Sequence, residues 1–259
     1  MTRQRQIDIK TRYYRWFPAD THLGFAEEEL RLDLSRTAFV LVDAYLPSAE
    51  EMAHSSDATR QLSDEEYRIK RDIAVGHIAP ALTAARKIGI PVIFVTNSAP
   101  NIHLERSEYA QQLARAQGFS ISEEFVEEGV DPREYLAGAP GILQFEEVLK
   151  PQPGDIYIRK HAYSGFCATR LDTTLRYLDV RNLLFAGFRL DACLGTTMLD
   201  ALAHNFKVIL LRDCTLACEL PEELASRSFT QRMLVWFESL IGVSVDSKDF
   251  VRACESPGS

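Results

Sequence analysis

The sequence predicts an α/β protein, a three-layer α/β/α sandwich around a mostly parallel, doubly wound central sheet. Short, near-continuous apolar runs alternate with segments of roughly 10–15 residues at helical spacing, the pattern of a parallel sheet covered on both faces. The chain's 259 residues, 46% of them hydrophobic, are enough for one large core, and no internal repeat divides them.

Taken in order, residues 1–35 are mixed and charged, with aromatics at Tyr13, Tyr14, Trp16 and Phe17. They read as an N-terminal arm that packs on the domain or on a neighbouring subunit, and the domain then runs from 36 to 259. AFVLVD (38–43) is the first buried strand, ended by an aspartate. Pro47 to Gln61 reads as loop. Ser63 and Glu66 make a capping box that opens a helix through Ile69 and Ile73. Pro80 predicts a break and a second start, with ALTAARK running on to Gly89. PVIFVTN (91–97) is the second strand.

Residues 98–150 are the least regular. A polar helix is expected around Leu104 to Gln117, then an acidic stretch and punctuation at Pro132, Gly138, Pro140 and Gly141. So long a segment between strands reads equally as a lid or insertion over a site and as a solvated excursion. PQPGDIYIRK (151–160) is a turn and a third strand ending at Lys160. Thr169 to Asp172 can cap a helix whose face is Leu171, Leu175 and Leu178. Leu183 to Ala186 is the fourth strand, and VILLRD (208–213) the fifth. A last helix over about Glu222 to Leu240 and a short VSV edge strand (243–245) complete the pattern.

Between the fourth strand and its helix lies Cys193. Asp191 is placed to cap that helix, which would set the thiol against unpaired amides and the positive end of a helix dipole. Both favour thiolate, the nucleophilic form; the alternative is a small buried hydrophobe, as most free cysteines are. In an open parallel sheet the ligand site lies outside the carboxyl ends of the strands. Asp43, Lys160 and Cys193 all fall at that edge. Together they supply a base, a counter-charge and a nucleophile.

These residues carry a resemblance. VLVDAY with Asp43, ALTAARKIGIPVIFVTN, KHAYSGFCATRLD with Lys160, AGFRLDACLGTTMLDA with Cys193 and VILLRD with Asp213 resemble the isochorismatase-like cysteine hydrolases over residues 36–245. PQPGDIYIRKHAYSGF together with Asn97 is most similar to the ureidoacrylate and biuret type of amidohydrolase. The resemblance implies the isochorismatase-like sandwich and an Asp43–Lys160–Cys193 triad that cleaves the C–N bond of a small ureido, carbamoyl or amide compound through a thioester, releasing ammonia. It also implies a cis peptide between Phe188 and Arg189, with the Arg189 and Cys193 amides as an oxyanion hole. Asn97, Tyr163, Phe166 and Arg189 are the candidates for contacting substrate.

The chain departs from the family pattern at Arg189 and Leu190, where small residues are usual, and in Asp43-Ala-Tyr-Leu-Pro47, where D-M-Q is common. Arg189 can fork onto a substrate carboxylate or pair with Asp191; the sequence favours neither. Two other functions stand beside the amidohydrolase. One is isochorismatase chemistry on a vinyl ether, against which Cys193 speaks because those enzymes do not use the nucleophilic cysteine. The other is a silent scaffold or ligand-binding protein, suggested by the Arg189–Leu190 pair.

A net charge of −8 and a pI near 5.3 argue against nucleic acid and acidic membranes as partners. No apolar run approaches a membrane span, and the polar N-terminus does not read as a signal peptide. Five cysteines without a C-x-x-C pair fit a reducing, cytoplasmic setting rather than a disulfide framework, a zinc knuckle or a redox pair. No cofactor is expected, and no metal, since Asn97 to His103 lacks the Asp-x-His ligand pattern and His103 reads as a loop residue. By analogy with the family the chain is expected to form a dimer or tetramer.

Overall fold

The computed structural model describes residues 6–21, 23–46, 62–97, 107–117 and 145–256. Strands β3 (Thr37–Val42), β4 (Val92–Asn97), β5 (Ile156–Lys160), β6 (Asn182–Gly187), β7 (Lys207–Leu211) and β8 (Val243–Val245) run parallel. A hairpin of β1 (Gln6–Arg15) and β2 (Gly24–Asp33) adds two antiparallel strands beside β8. The order in the eight-stranded sheet is β2-β1-β8-β7-β6-β3-β4-β5. After β3 the chain turns one way to β4 and β5, then returns to β6 on the other side. The switch point of this doubly wound sheet therefore lies between β3 and β6, where an α/β sheet opens a crevice.

Helices α1 (Asp64–Ile73), α2 (Ala79–Ile88) and α7 (Ser247–Glu255) cover one face; α4 (Leu171–Tyr177), α5 (Cys193–Ala203) and α6 (Ser228–Leu240) cover the other. α3 (Glu108–Gln117) lies between β4 and β5 in the chain. Strand alternation splits the core in two. Phe39, Leu41, Leu184 and Ile209 go to the first face, while Val40, Val42, Phe185 and Leu210 go to the second. The central strands are apolar throughout because both their faces are buried.

Four local expectations are corrected and one is sharpened. Pro80 does not break the helix: α1 and α2 run on through a π-helical turn, Ala74–Ile78, in which the Ala79 amide donates to the Ala74 carbonyl. That wider turn precedes the residue with no amide and takes up the mismatch. β8 is not an edge strand, because β1 covers it. Gln6 to Thr11 alternates exposed and buried residues, so the arm is a strand whose Ile7 and Ile9 enter the core. Helix α6 begins only at Ser228, after a 3-10 turn Pro221–Glu223 and a left-handed Arg227. Beyond β8 a further helix, α7, buries Phe250 and Cys254. No helix among the described residues is long and apolar enough to cross a membrane. The expected loop from Pro47 to Gln61, His103 and most of the 98–150 segment lie outside the described residues.

Candidate active site

Each reactive side chain is delivered by the end of a strand. β3 ends at Val42, and Asp43 follows in a left-handed conformation (φ 43°), with its amide bonded to the Val95 carbonyl (2.9 Å). A non-glycine residue there is unusual and costs on the order of 1 kcal/mol. The conformation turns the carboxyl group into the crevice beside β6. Lys160 is the last residue of β5 and is fully buried.

Cys193 is the first residue of α5, reached by a tight turn after β6. Two glycines make that turn possible. Gly187 has φ 118°, and a Cβ on it would lie 1.9 Å from the Val42 carbonyl oxygen. A Cβ on Gly195 would lie 2.1 Å from the Leu190 carbonyl oxygen, so the turn folds back onto α5 only because that position is bare. The peptide between Phe188 and Arg189 is cis. Among the described residues, the amides of Arg189, Asp191 and Cys193 donate to no backbone carbonyl, whereas those of 188, 190, 192 and 194 do.

The three groups converge. Lys160 Nζ lies 2.8 Å from Asp43 Oδ2 and 3.2 Å from Cys193 Sγ. It also donates to the Asn97 side-chain oxygen and, at 3.4 Å, to the Ala162 carbonyl. Burying so many charges is costly unless they are paired. The carboxylate and ammonium cancel, so a neutral thiol leaves the set without net charge. Burial above all, then the Asp43 charge, pushes the Cys193 thiol up to about 12, and Lys160 opposes both. The Lys160 ammonium loses hydration on burial, but Asp43 and Cys193 more than compensate and hold it firmly protonated.

Burial and the neighbouring carboxylate thus act against thiolate, the form that the sequence reading of this position favoured. The expected cap is corrected. Ala192, not Asp191, stands at the cap position and makes no side-chain bond. Asp191 instead takes the Arg189 guanidinium as a fork (2.8 and 3.3 Å) and accepts the Cys218 amide at 3.0 Å. Of the two roles open to Arg189, the structure shows the pair with Asp191.

The loop after β5 is docked onto the start of α5. Thr197, fully buried, donates to the Cys193 carbonyl (2.6 Å) and accepts the Gly165 amide (2.9 Å). Tyr163, on this loop, meets Tyr109 of α3 edge-to-face at 4.9 Å. The Tyr109 hydroxyl is pushed upward by burial and sits within the fields of Lys160, Cys193 and Asp43. Phe166 is not brought to the thiol. It stacks on His204 (5.0 Å) at the far end of α5, eleven residues and about 16 Å of helix from Cys193, because its side of the loop faces the core. Asn97 is in the site with both polar ends used, its Nδ2 donating to the Tyr45 hydroxyl at 2.6 Å.

Sequence reasoning missed Tyr45 and Tyr109. Tyr45 stands two residues past Asp43, in the block that departs from the common pattern, and that departure was the available signal. Tyr109 carried none, since nothing in a polar helix marks which side chain turns inward. No group of three or more His, Cys, Asp or Glu side chains placed to hold a metal occurs among the described residues.

A sequence model of the isochorismatase domain matches residues 62–236. Over 248 residues the chain is 28% identical to ureidoacrylate amidohydrolase RutB of Variovorax paradoxus (strain S110), covering 91% of this chain and 88% of that protein. It is 31% identical over 193 residues to the protein of the same name from Stutzerimonas stutzeri (strain A1501), covering 73% of each. Among solved structures, a cysteine hydrolase from Pseudomonas syringae pv. phaseolicola 1448A superposes with a TM-score of 0.66 at 22% identity, covering 88% of this chain and 96% of that one. N-carbamoylsarcosine amidase from Thermoplasma acidophilum gives 0.52 at 23% identity, covering 82% and 96%. At such identities these likenesses speak for the fold.

Proposed function

We propose that this chain, which belongs to the isochorismatase family, is a cysteine-dependent amidohydrolase that cleaves the C–N bond of a small ureido, carbamoyl or amide compound. The observation that carries the reading is the buried Lys160 ammonium, in contact with both the Asp43 carboxylate and the Cys193 sulfur. The name of the similar proteins, ureidoacrylate amidohydrolase, points to the same bond.

The resting site holds thiol, carboxylate and ammonium. As Sγ attacks the substrate carbonyl carbon, Asp43 takes the thiol proton, so no buried thiolate need persist. The carbonyl oxygen gains the negative charge, and the amides of Arg189 and Cys193, neither of which donates to a backbone carbonyl, are assigned to receive it. Asp43 then returns the proton to the substrate nitrogen as the C–N bond breaks, giving an amine or ammonia and an acyl thioester on Cys193. Water, deprotonated by Asp43, attacks the thioester, and Cys193 leaves as the thiol. From a carbamoyl compound the acyl fragment departs as carbamate, which decomposes to carbon dioxide and ammonia. Through both halves Lys160 balances whichever of Asp43 or Cys193 carries the negative charge.

Tyr163 and Tyr109 are proposed to line the substrate site. The test is ammonia release from a panel of ureidoacrylate, N-carbamoyl amino acids, biuret and simple amides. Release by the wild-type chain and none by Cys193→Ala supports the reading. Undiminished release by Cys193→Ala refutes it.

A further inference from the structure

Lys160 and Asp43 do not stand on neighbouring strands. β4 lies between β5 and β3, so the ammonium has to cross roughly 10 Å of sheet edge, two strand spacings, to meet Asp43. It crosses over Asn97, the last residue of β4 and its register partner in the ladder. Asn97 Oδ1 accepts from Lys160 Nζ. An ammonium can only donate, so the amide has to show it oxygen rather than nitrogen.

That leaves Asn97 Nδ2 pointing the other way, onto the Tyr45 hydroxyl oxygen at 2.6 Å, which must accept. Tyr45 is in turn placed edge-on against Phe145, with ring centroids 6.5 Å apart. A flipped Asn97 would set its amide N–H groups against the ammonium and lose the acceptor that Lys160 now has. Lys160, which can only donate, sets that orientation, and the Tyr45 hydroxyl completes it by accepting from Nδ2.

We propose that Tyr45 and Asn97 form a positioning relay: Tyr45 anchors the Asn97 side chain by accepting from Nδ2, and Asn97 Oδ1, accepting from Lys160, holds the ammonium between Asp43 and Cys193. In this role neither residue touches the reacting atoms. Asn97 is thereby reassigned from a substrate contact to the scaffold of the triad, and the replacement of D-M-Q by Asp43-Ala-Tyr45 acquires a purpose. The relay's effect on turnover rests on the amidohydrolase reading; its effect on the thiol does not.

The test is a double-mutant cycle of Tyr45→Phe and Asn97→Ala with two readouts. One is kcat and KM on a substrate found by the ammonia panel. The other is the pH profile of iodoacetamide alkylation at Cys193, which needs no turnover. Each single variant is expected to lower kcat about tenfold or more with KM within about twofold, and to move the alkylation profile to higher pH as Lys160 slackens. The double variant should be no worse than Asn97→Ala alone, the non-additivity of two residues acting through one contact.

Additive losses overturn the relay. So does a raised KM with kcat and the alkylation profile unchanged, which would make Asn97 or Tyr45 a substrate contact. Should Tyr45→Phe not fold, Asn97→Ala decides alone, and an unmoved alkylation profile contradicts the proposal. Should the wild-type chain release no ammonia from any compound, the amidohydrolase reading falls while the alkylation comparison still decides the relay.

Discussion

Lys160 is a fully buried lysine at the end of a strand, and its contacts make it the electrostatic centre of the site. Removing one partner of a buried ion pair leaves the other uncompensated, at about 3–5 kcal/mol. Lys160→Met is therefore expected to destabilise the fold by that order in urea unfolding. Lys160→Met with Asp43→Asn, which removes both charges, should recover part of the loss, and neither variant should turn over substrate.

Cys193 gives a second expectation, in pH. Its folded-state ionisation is raised from 9.0 to about 12, so the unfolded chain ionises first as pH rises. The stability contributed by keeping this thiol neutral is complete below about pH 9 and is lost between 9 and 12. Unfolding free energies at pH 8 and 10.5 should diverge less in Cys193→Ala than in the wild type. An equal decline in both would deny the raised ionisation.

The placement of these residues was legible because strand ends are marked in sequence. Asp43 and Lys160 close apolar runs, and Cys193 opens a helical pattern after one. The protonation of the thiol was not legible. It depends on a carboxylate that arrives from 150 positions earlier in the chain, counting Asp43 to Cys193, and on burial that no local pattern displays.

Among the elements, the N-terminal hairpin is the one whose role changes most on folding. Arg12 on β1 pairs with Glu238 of α6 at 2.9 Å, the carboxylate fully buried and the guanidinium a quarter exposed. Trp16 adds a bond to Ser239 at 2.7 Å. Arg12→Ala should therefore cost about 2–3 kcal/mol, less than a fully buried pair because water still reaches the guanidinium. Adding Glu238→Gln should restore part of it in chemical denaturation.

The alternation of Ile7, Ile9 and Thr11 was the signal for this strand, masked by the charged residues between them. The turn after β6 has a comparable test. Gly187→Ala meets both a forbidden φ and the Val42 carbonyl, and is expected to lose more than about 2 kcal/mol. A near-neutral result would mean that the turn relaxes without cost.

Taken whole, the molecule is a sheet that builds one crevice. β3 stands at the switch point with β6 on one side and β4 and β5 on the other, so Asp43 after β3, Cys193 after β6 and Lys160 of β5 reach one place. The parallel core was readable because strands buried on both faces leave unbroken apolar runs. β1, β2 and α7 were not, because each buries only one face and shares it with solvent.

On the proposed function, Asp43, Lys160 and Cys193 act as a buried, pre-assembled triad whose charge moves only when substrate is attacked. Acid-quenched turnover, followed by mass mapping of the peptide that carries Cys193, examines this claim most directly. The expected result is a mass increment equal to the substrate's acyl group on Cys193, absent from Cys193→Ala and from Asp43→Asn. Turnover in the wild type at an undiminished rate in Cys193→Ala, with no adduct at any time point, would contradict it.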